Sequence, residues 1–140
     1  MKKLFYLLFA LPAVAFSQQE VRTYYDSLGK RHLQEVYYVA KDDPEKLVGK
    51  YVRYYRSGPV MVEGNFDDGN KSGPFTEYFE NGKPARKVSF VNGMRHGPVE
   101  IFNDTGVPVQ KAYYQNDKLT DSIQLYFDNG NLKEIGRAHV

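Results

Sequence analysis

The chain is 140 residues long, with no cysteine, no tryptophan, 41% hydrophobic residues and a formal charge of +2. That bounds it to one modest domain of ordinary globular composition, too short for two independent cores, and excludes a disulfide-built scaffold. Lys2 and Lys3 lie in a segment expected to be removed, so the remaining cations only balance the acids. A nucleic-acid footprint, which needs surplus cations to neutralise phosphates, is excluded on the same ground.

Met1-Lys2-Lys3 is followed by the apolar run Leu4 to Phe16, and Ala15-Phe16-Ser17 puts small residues where a signal peptidase cuts. Residues 1–17 are therefore expected to be a signal peptide, cleaved near Ser17, with the product periplasmic, outer-envelope associated or secreted. The run is interrupted by Pro12 and falls short of the roughly twenty apolar residues needed to span a bilayer. Residues 18–48 read as a degenerate N-terminal repeat or cap: Glu20 to Gly29, then a Tyr37-Tyr38 strand, with an insertion at Lys41-Asp42-Asp43-Pro44.

From Gly49 the pattern becomes regular. Gly49–Gly58, Gly73–Gly82, Gly97–Gly106 and Asp121–Gly130 align, giving copies at 49–72, 73–96, 97–120 and a partial one at 121–134, with a period of 24. Each copy reads as a β-hairpin. Ser57-Gly58, Asn81-Gly82, Thr105-Gly106 and Asn129-Gly130 mark one turn; Asp68-Gly69, Asn92-Gly93 and Asn116-Asp117 mark the next. On the returning strands, Gly64/Phe66, Val88/Phe90 and Ala112/Tyr114 share a core face, while Glu63/Asn65, Lys87/Ser89 and Lys111/Tyr113 share a wet one.

The outgoing strands carry two adjacent aromatic columns, Tyr54, Tyr78, Phe102, Tyr126 and Tyr55, Phe79, Asn103, Phe127. Either a bulge turns both inward or one column is displayed; the pattern leaves both open. A lone hairpin cannot bury its apolar face, so the expected fold is all-β: tandem antiparallel hairpins of 24 residues in an elongated, solenoid-like meander. Residues 135–140 break the pattern, and an in-frame reading of a common sequencing-adapter sequence translates to the same six residues. They are expected to be a non-native tail, on a natural chain that continues past Lys133, and Arg137 and His139 are given no functional role.

Tyr-x-x-Asn-Gly-Lys at Tyr78–Lys83, and Asp68-Gly69-x-x-x-Gly73 and Asn92-Gly93-x-x-x-Gly97 at a spacing of 24, resemble MORN repeats. The likeness is to the variant of exported bacterial proteins and of the YwqK-family antitoxins. It covers Gly49 to Lys133, and more weakly Glu20 to Val48, with a departure at Asn116-Asp117-x-x-x-Asp121. The resemblance implies a hairpin repeat that serves as a surface for protein or lipid contact, with Gly49, Gly58, Gly69, Gly73, Gly82, Gly93, His96, Gly97, Gly106 and Gly130 as its structural signature.

No motif points to catalysis. Gly64–Ser72 nearly matches a phosphate-binding loop, but Lys71 is displaced by one residue and Asp67 and Asp68 stand where phosphates would lie. Asp67-Asp68-Gly69-Asn70 lacks the alternating ligands and distal Glu of a calcium loop. His32 and His96 have no ligand spacing, His96 has no nucleophile assigned to it, and Glu77/Glu80 and Asp42/Asp43 read as exposed charge. The sequence therefore leads to an exported, non-enzymatic scaffold with no cofactor and no metal, contacting a protein partner through Tyr54, Tyr78 and Tyr126. A toxin held in an antitoxin or immunity role, or envelope lipid or glycan, is the alternative partner.

Overall fold

The computed structural model describes residues 17–26 and 28–137. The expected signal peptide, apart from Ser17, and His139 lie outside the described residues. Eleven strands follow one another: β1 (Gln18–Tyr24), β2 (Leu33–Ala40), β3 (Gly49–Tyr54), β4 (Val60–Asp67), β5 (Asn70–Tyr78), β6 (Pro84–Val91), β7 (Met94–Phe102), β8 (Pro108–Gln115), β9 (Lys118–Leu119), β10 (Ile123–Tyr126) and β11 (Leu132–Gly136). They form one antiparallel sheet in the order β1 to β8, then β10 and β11, with the short β9 paired to β8 alone. The all-β tandem-hairpin meander expected from the period is the architecture observed.

The two ends of the sheet turn the chain differently. At one end Asp68-Gly69, Asn92-Gly93 and Asn116-Asp117 each place two successive residues at positive φ. That is the two-residue turn whose twist matches the flanking strands, and Asn and Asp tolerate it best after Gly. At the other end only the glycine of each pair, Gly58, Gly82, Gly106 or Gly130, has positive φ, and Asn81 and Asn129 do not. There the loop is longer by one residue. In all four hairpins the returning strand then carries an extra residue: Arg53 faces Val62 but Tyr54 faces Val60, leaving Met61 unpaired, with Ala85, Val109 and Lys133 in the same place.

This bulge settles the aromatic columns. It lies on the returning strand, so the outgoing strand keeps its alternation and the Tyr54 and Tyr55 columns point to opposite faces. Ile135 and Gly136, read from sequence as part of a tail outside the repeat, pair with Gln124 and Ile123 and so lie within β11.

Pairing aligns the residues of one face into three rows across the strands. The middle row runs Tyr51, Gly64, Phe75, Val88, Val99 and Ala112, and its last four apolar members are among the six most buried hydrophobic residues, with Val39 and Val52. Gly64 is there because of Phe75: a Cβ on Gly64 would stand 2.5 Å from the Phe75 ring. Where Val99 replaces the aromatic, Val88 fills the space across from it. Size is thus traded between neighbouring copies, which keeps the row filled. Among the described residues no second layer covers the row and no large side chain is fully buried.

Candidate interaction site

The face bearing the middle row is the chemically richer one. Tyr51, Phe66, Phe75 and Phe90 form a continuous edge-to-face ladder, with ring centroids 5.7, 5.6 and 5.3 Å apart along the series. Each such pair adds about 0.5–1.5 kcal/mol beyond area burial, so four rings order one another without a covering layer. The ladder floors a groove of about 220 Å³, with Val62 and Val88 between the rings.

Charged residues wall this groove. The row beside the ladder runs Glu35, Arg53, Val62, Glu77, Arg86, Ile101 through successive strand pairs. Arg86 is ion-paired with Glu77. Glu35 accepts a hydrogen bond from the Tyr51 hydroxyl at 2.8 Å, and burial followed by this bond pushes the phenol up to about 12. Arg53 Nε approaches the same Glu35 oxygen only to 3.8 Å, outside hydrogen-bond reach, and is buried without an acceptor although the rest of the side chain is partly exposed. On the other side, Lys71 pairs with Phe66 and holds its ammonium 5.0 Å from the Phe75 ring centre and 5.1 Å from that of Phe90. An ammonium over two aromatic faces is attracted by their quadrupoles, yet its three donors remain available.

One copy further on, the same arrangement is closed internally. Arg95 lies 4.2 Å from the Tyr114 ring centre, and the Asp117 carboxylate accepts from both its Nε, at 2.8 Å, and its backbone N–H, at 3.0 Å. The guanidinium holds the Asp117 carboxyl below its usual range. Asn116-Asp117, which departs from the glycine signature, still makes the same turn as the other copies. The Asp117 N–H donates to Arg95 O at 3.0 Å, just as Gly93 N–H donates to Lys71 O at 3.0 Å and Gly69 N–H to Leu47 O at 2.9 Å.

Tyr54, Tyr78 and Tyr126 stand on the opposite face, all half-buried. Tyr78 donates to Glu63 and Tyr126 donates to Gln124 Oε1 at 2.6 Å, while Lys111 lies 5.9 Å from the Tyr126 ring centre. Their polar tips are therefore largely engaged by their own sheet. The nine signature glycines all take positive φ, and His96 lies in β7 with Nδ1 3.3 Å from Asn116 Oδ1. Gly73 and Gly97, each followed by proline, sit where the register toward the preceding copy breaks, a place where a missing N–H costs least.

Gly64–Ser72 is a strand, a turn and a strand, and Asp68 is ion-paired with Lys46. Glu77 engages Arg86 and Glu80 accepts from Ser57, so these acids do not share a site. Among the described residues no group of three or more His, Asp or Glu is gathered in a way that could hold a metal ion. Sequence reasoning missed the cations of the groove. Lys71 and Arg95 are 24 apart and each neighbours a turn, so reading that column for charge as well as for turn residues would have found them.

The family model described as MORN repeat variant matches residues 71–92 and 95–116. The chain carries MORN-variant repeats. A search of curated proteins finds no match. Each matched MORN unit starts on the cation beside one positive-φ turn, Lys71 or Arg95, and ends at the next turn, Asn92 or Asn116. The MORN repeat is in general a non-enzymatic module for binding proteins or membranes.

Proposed function

We propose that the chain is an exported, non-enzymatic scaffold that binds another protein through the ladder face. The observation that carries this reading is the groove over Phe66, Phe75 and Phe90, apolar at its floor, charged at its walls and uncovered among the described residues. Rigid aromatic floors with charged rims suit protein contact, because rings already ordered by one another lose little entropy on binding. Tyr54, Tyr78 and Tyr126 supply a second contact surface, weaker because two of the three hydroxyls are taken within the sheet.

A photo-crosslinking phenylalanine analogue at position 90, in the groove, and at position 113, on the opposite face, tests this in the native cell. A discrete protein adduct from position 90 and a weaker one from position 113 is expected. Equal labelling from both, or none, rejects the ladder face as the binding surface. A toxin recovered in the adduct would specify an antitoxin role; glycan or lipid in place of protein would reject the scaffold reading. Export is tested by N-terminal sequencing of the mature product, expected to begin near Gln18 and refuted by a start at Met1.

A further inference from the structure

Lys71 and Arg95 occupy equivalent places in successive copies, each against an aromatic ring, and so do Gly93 and Asp117. In the later copy, the Asp117 carboxylate neutralises the cation through the guanidinium Nε and the backbone N–H of Arg95. In the earlier copy Gly93 stands where that carboxylate would be, and among the described residues no carboxylate lies within ion-pair distance of Lys71. Arg53 also lines this groove, but its charge is matched by Glu35, 3.8 Å from its Nε.

We propose that the groove seats an acidic side chain of the bound partner polypeptide. Its carboxylate takes the place that Asp117 fills one copy later, accepting from Lys71 Nζ. An apolar neighbour in the partner lies on Phe66, Phe75 and Phe90. This rests on the protein-binding reading and narrows it: the partner segment is acidic with adjacent apolar residues, because the groove joins Lys71, a cation with no acid of its own among the described residues, to an aromatic floor. Glu77 does not oppose it, since its charge is already matched by Arg86.

The test is selection of a random phage-displayed peptide library on the immobilised full chain. Parallel selections use Lys71→Gln, Lys71→Glu, Gly93→Asp and, as a control on the opposite face, Lys87→Gln. The expected result is enrichment of Asp or Glu beside an aromatic or aliphatic residue. In selected peptides, acid-to-amide replacement should weaken binding roughly tenfold to a hundredfold, the range for a hydrogen bond to a charged group. Lys71→Gln and Gly93→Asp should weaken binding comparably, the second by building the Asp117 arrangement into the earlier copy. Lys71→Glu should shift the enriched sequences from acidic to basic, and Lys87→Gln should leave them unchanged.

Circular dichroism on each variant separates loss of binding from loss of fold, and Lys71→Gln, which keeps the first two methylenes of the stem and an uncharged polar tip, is the variant least able to disturb the sheet. A consensus without acids, an unchanged consensus in Lys71→Glu, or an empty selection overturns the proposal. So does Lys71-dependent binding to phosphatidylserine–phosphatidylcholine vesicles without peptide enrichment, which would assign the site to lipid. If position 90 still crosslinks to a protein while the acid preference is absent, this inference fails and the protein-binding reading stands. If neither is observed, both fail.

Discussion

The two faces of this sheet are built from one 24-residue period, yet they hold together by different means. On the ladder face, rings and branched side chains of successive copies fill one another's spaces, as with Phe75 lying over Gly64 and Val88 facing Val99. On the opposite face the Tyr54 column spans from copy to copy through polar tips and cations: Tyr78 reaches Glu63, and Lys87 lies 5.4 Å from the Phe102 ring centre. A single-layer sheet can place its shape-dependent packing on one side and leave adaptable polar contacts on the other. The packed face then sets stability and presents a fixed surface.

The largest effect should follow from breaking the ladder at its most buried ring. Phe75 is 6% exposed, and Phe75→Ala should cost about 3–5 kcal/mol, read as a lower denaturant midpoint. Phe90, half-buried at the end of the ladder, should cost about half as much, because its outer side already faces solvent. Equal losses at the two positions would reject the row as the packing unit.

Next comes the size trade across copies. Gly64→Val places a side chain into the Phe75 ring and should cost about 1–3 kcal/mol by overpacking, on top of any strand preference it gains. Adding Phe75→Val should recover part of that loss, since it recreates the Val88–Val99 pair of the following copy. A double mutant as unstable as the sum of the single changes would break the complementarity argument.

On the polar face the effects should be smaller. Tyr78→Phe removes one hydrogen bond to Glu63 and should cost about 0.5–1.5 kcal/mol, with urea titration as the measure. A loss as large as that of Phe75→Ala would erase the distinction between the faces.

The last difference is one of pH. Burial and the bond to Glu35 raise the Tyr51 phenol from 10.0 to about 12, so the fold favours its neutral form. That contribution is intact below pH 10 and should disappear as pH rises from 10 toward about 12, where the unfolded chain ionises first. Tyr51→Phe should flatten this alkaline slope, and an unchanged slope would place the titrating group elsewhere.

Much of the ladder was legible in the sequence. Gly64/Phe66, Val88/Phe90 and Ala112/Tyr114 alternate in a way that names the packed face, because a strand sends every second side chain to the same side. The column Tyr51, Phe75, Val99 was harder to recognise, since it mixes an aromatic phenol, a ring and a branched aliphatic whose sizes make sense only beside Gly64 and Val88. The sides taken by Tyr54 and Tyr55 depended on which strand carries the extra residue, and two candidate strands have nearly equal claims from their residues alone. For the candidate site, the tyrosines named from sequence fall on the face opposite the groove, whereas Arg53, Lys71 and Arg86 line it. Their residue types are those of any exposed strand, and only register brings them beside the rings.

The sequence by itself determined the period, the hairpin, the turn positions and the face that packs, all of which are local: they follow from backbone preferences at Gly, Asn and Asp and from the two-residue repeat of a strand. Tertiary structure decided which strand bulges, which ring lies over which glycine, and that Lys71 stands without the carboxylate that Arg95 has in Asp117. Those are relations between strands rather than within one, and they are fixed by pairing register and by the space each side chain leaves for its neighbour, quantities that no single strand contains.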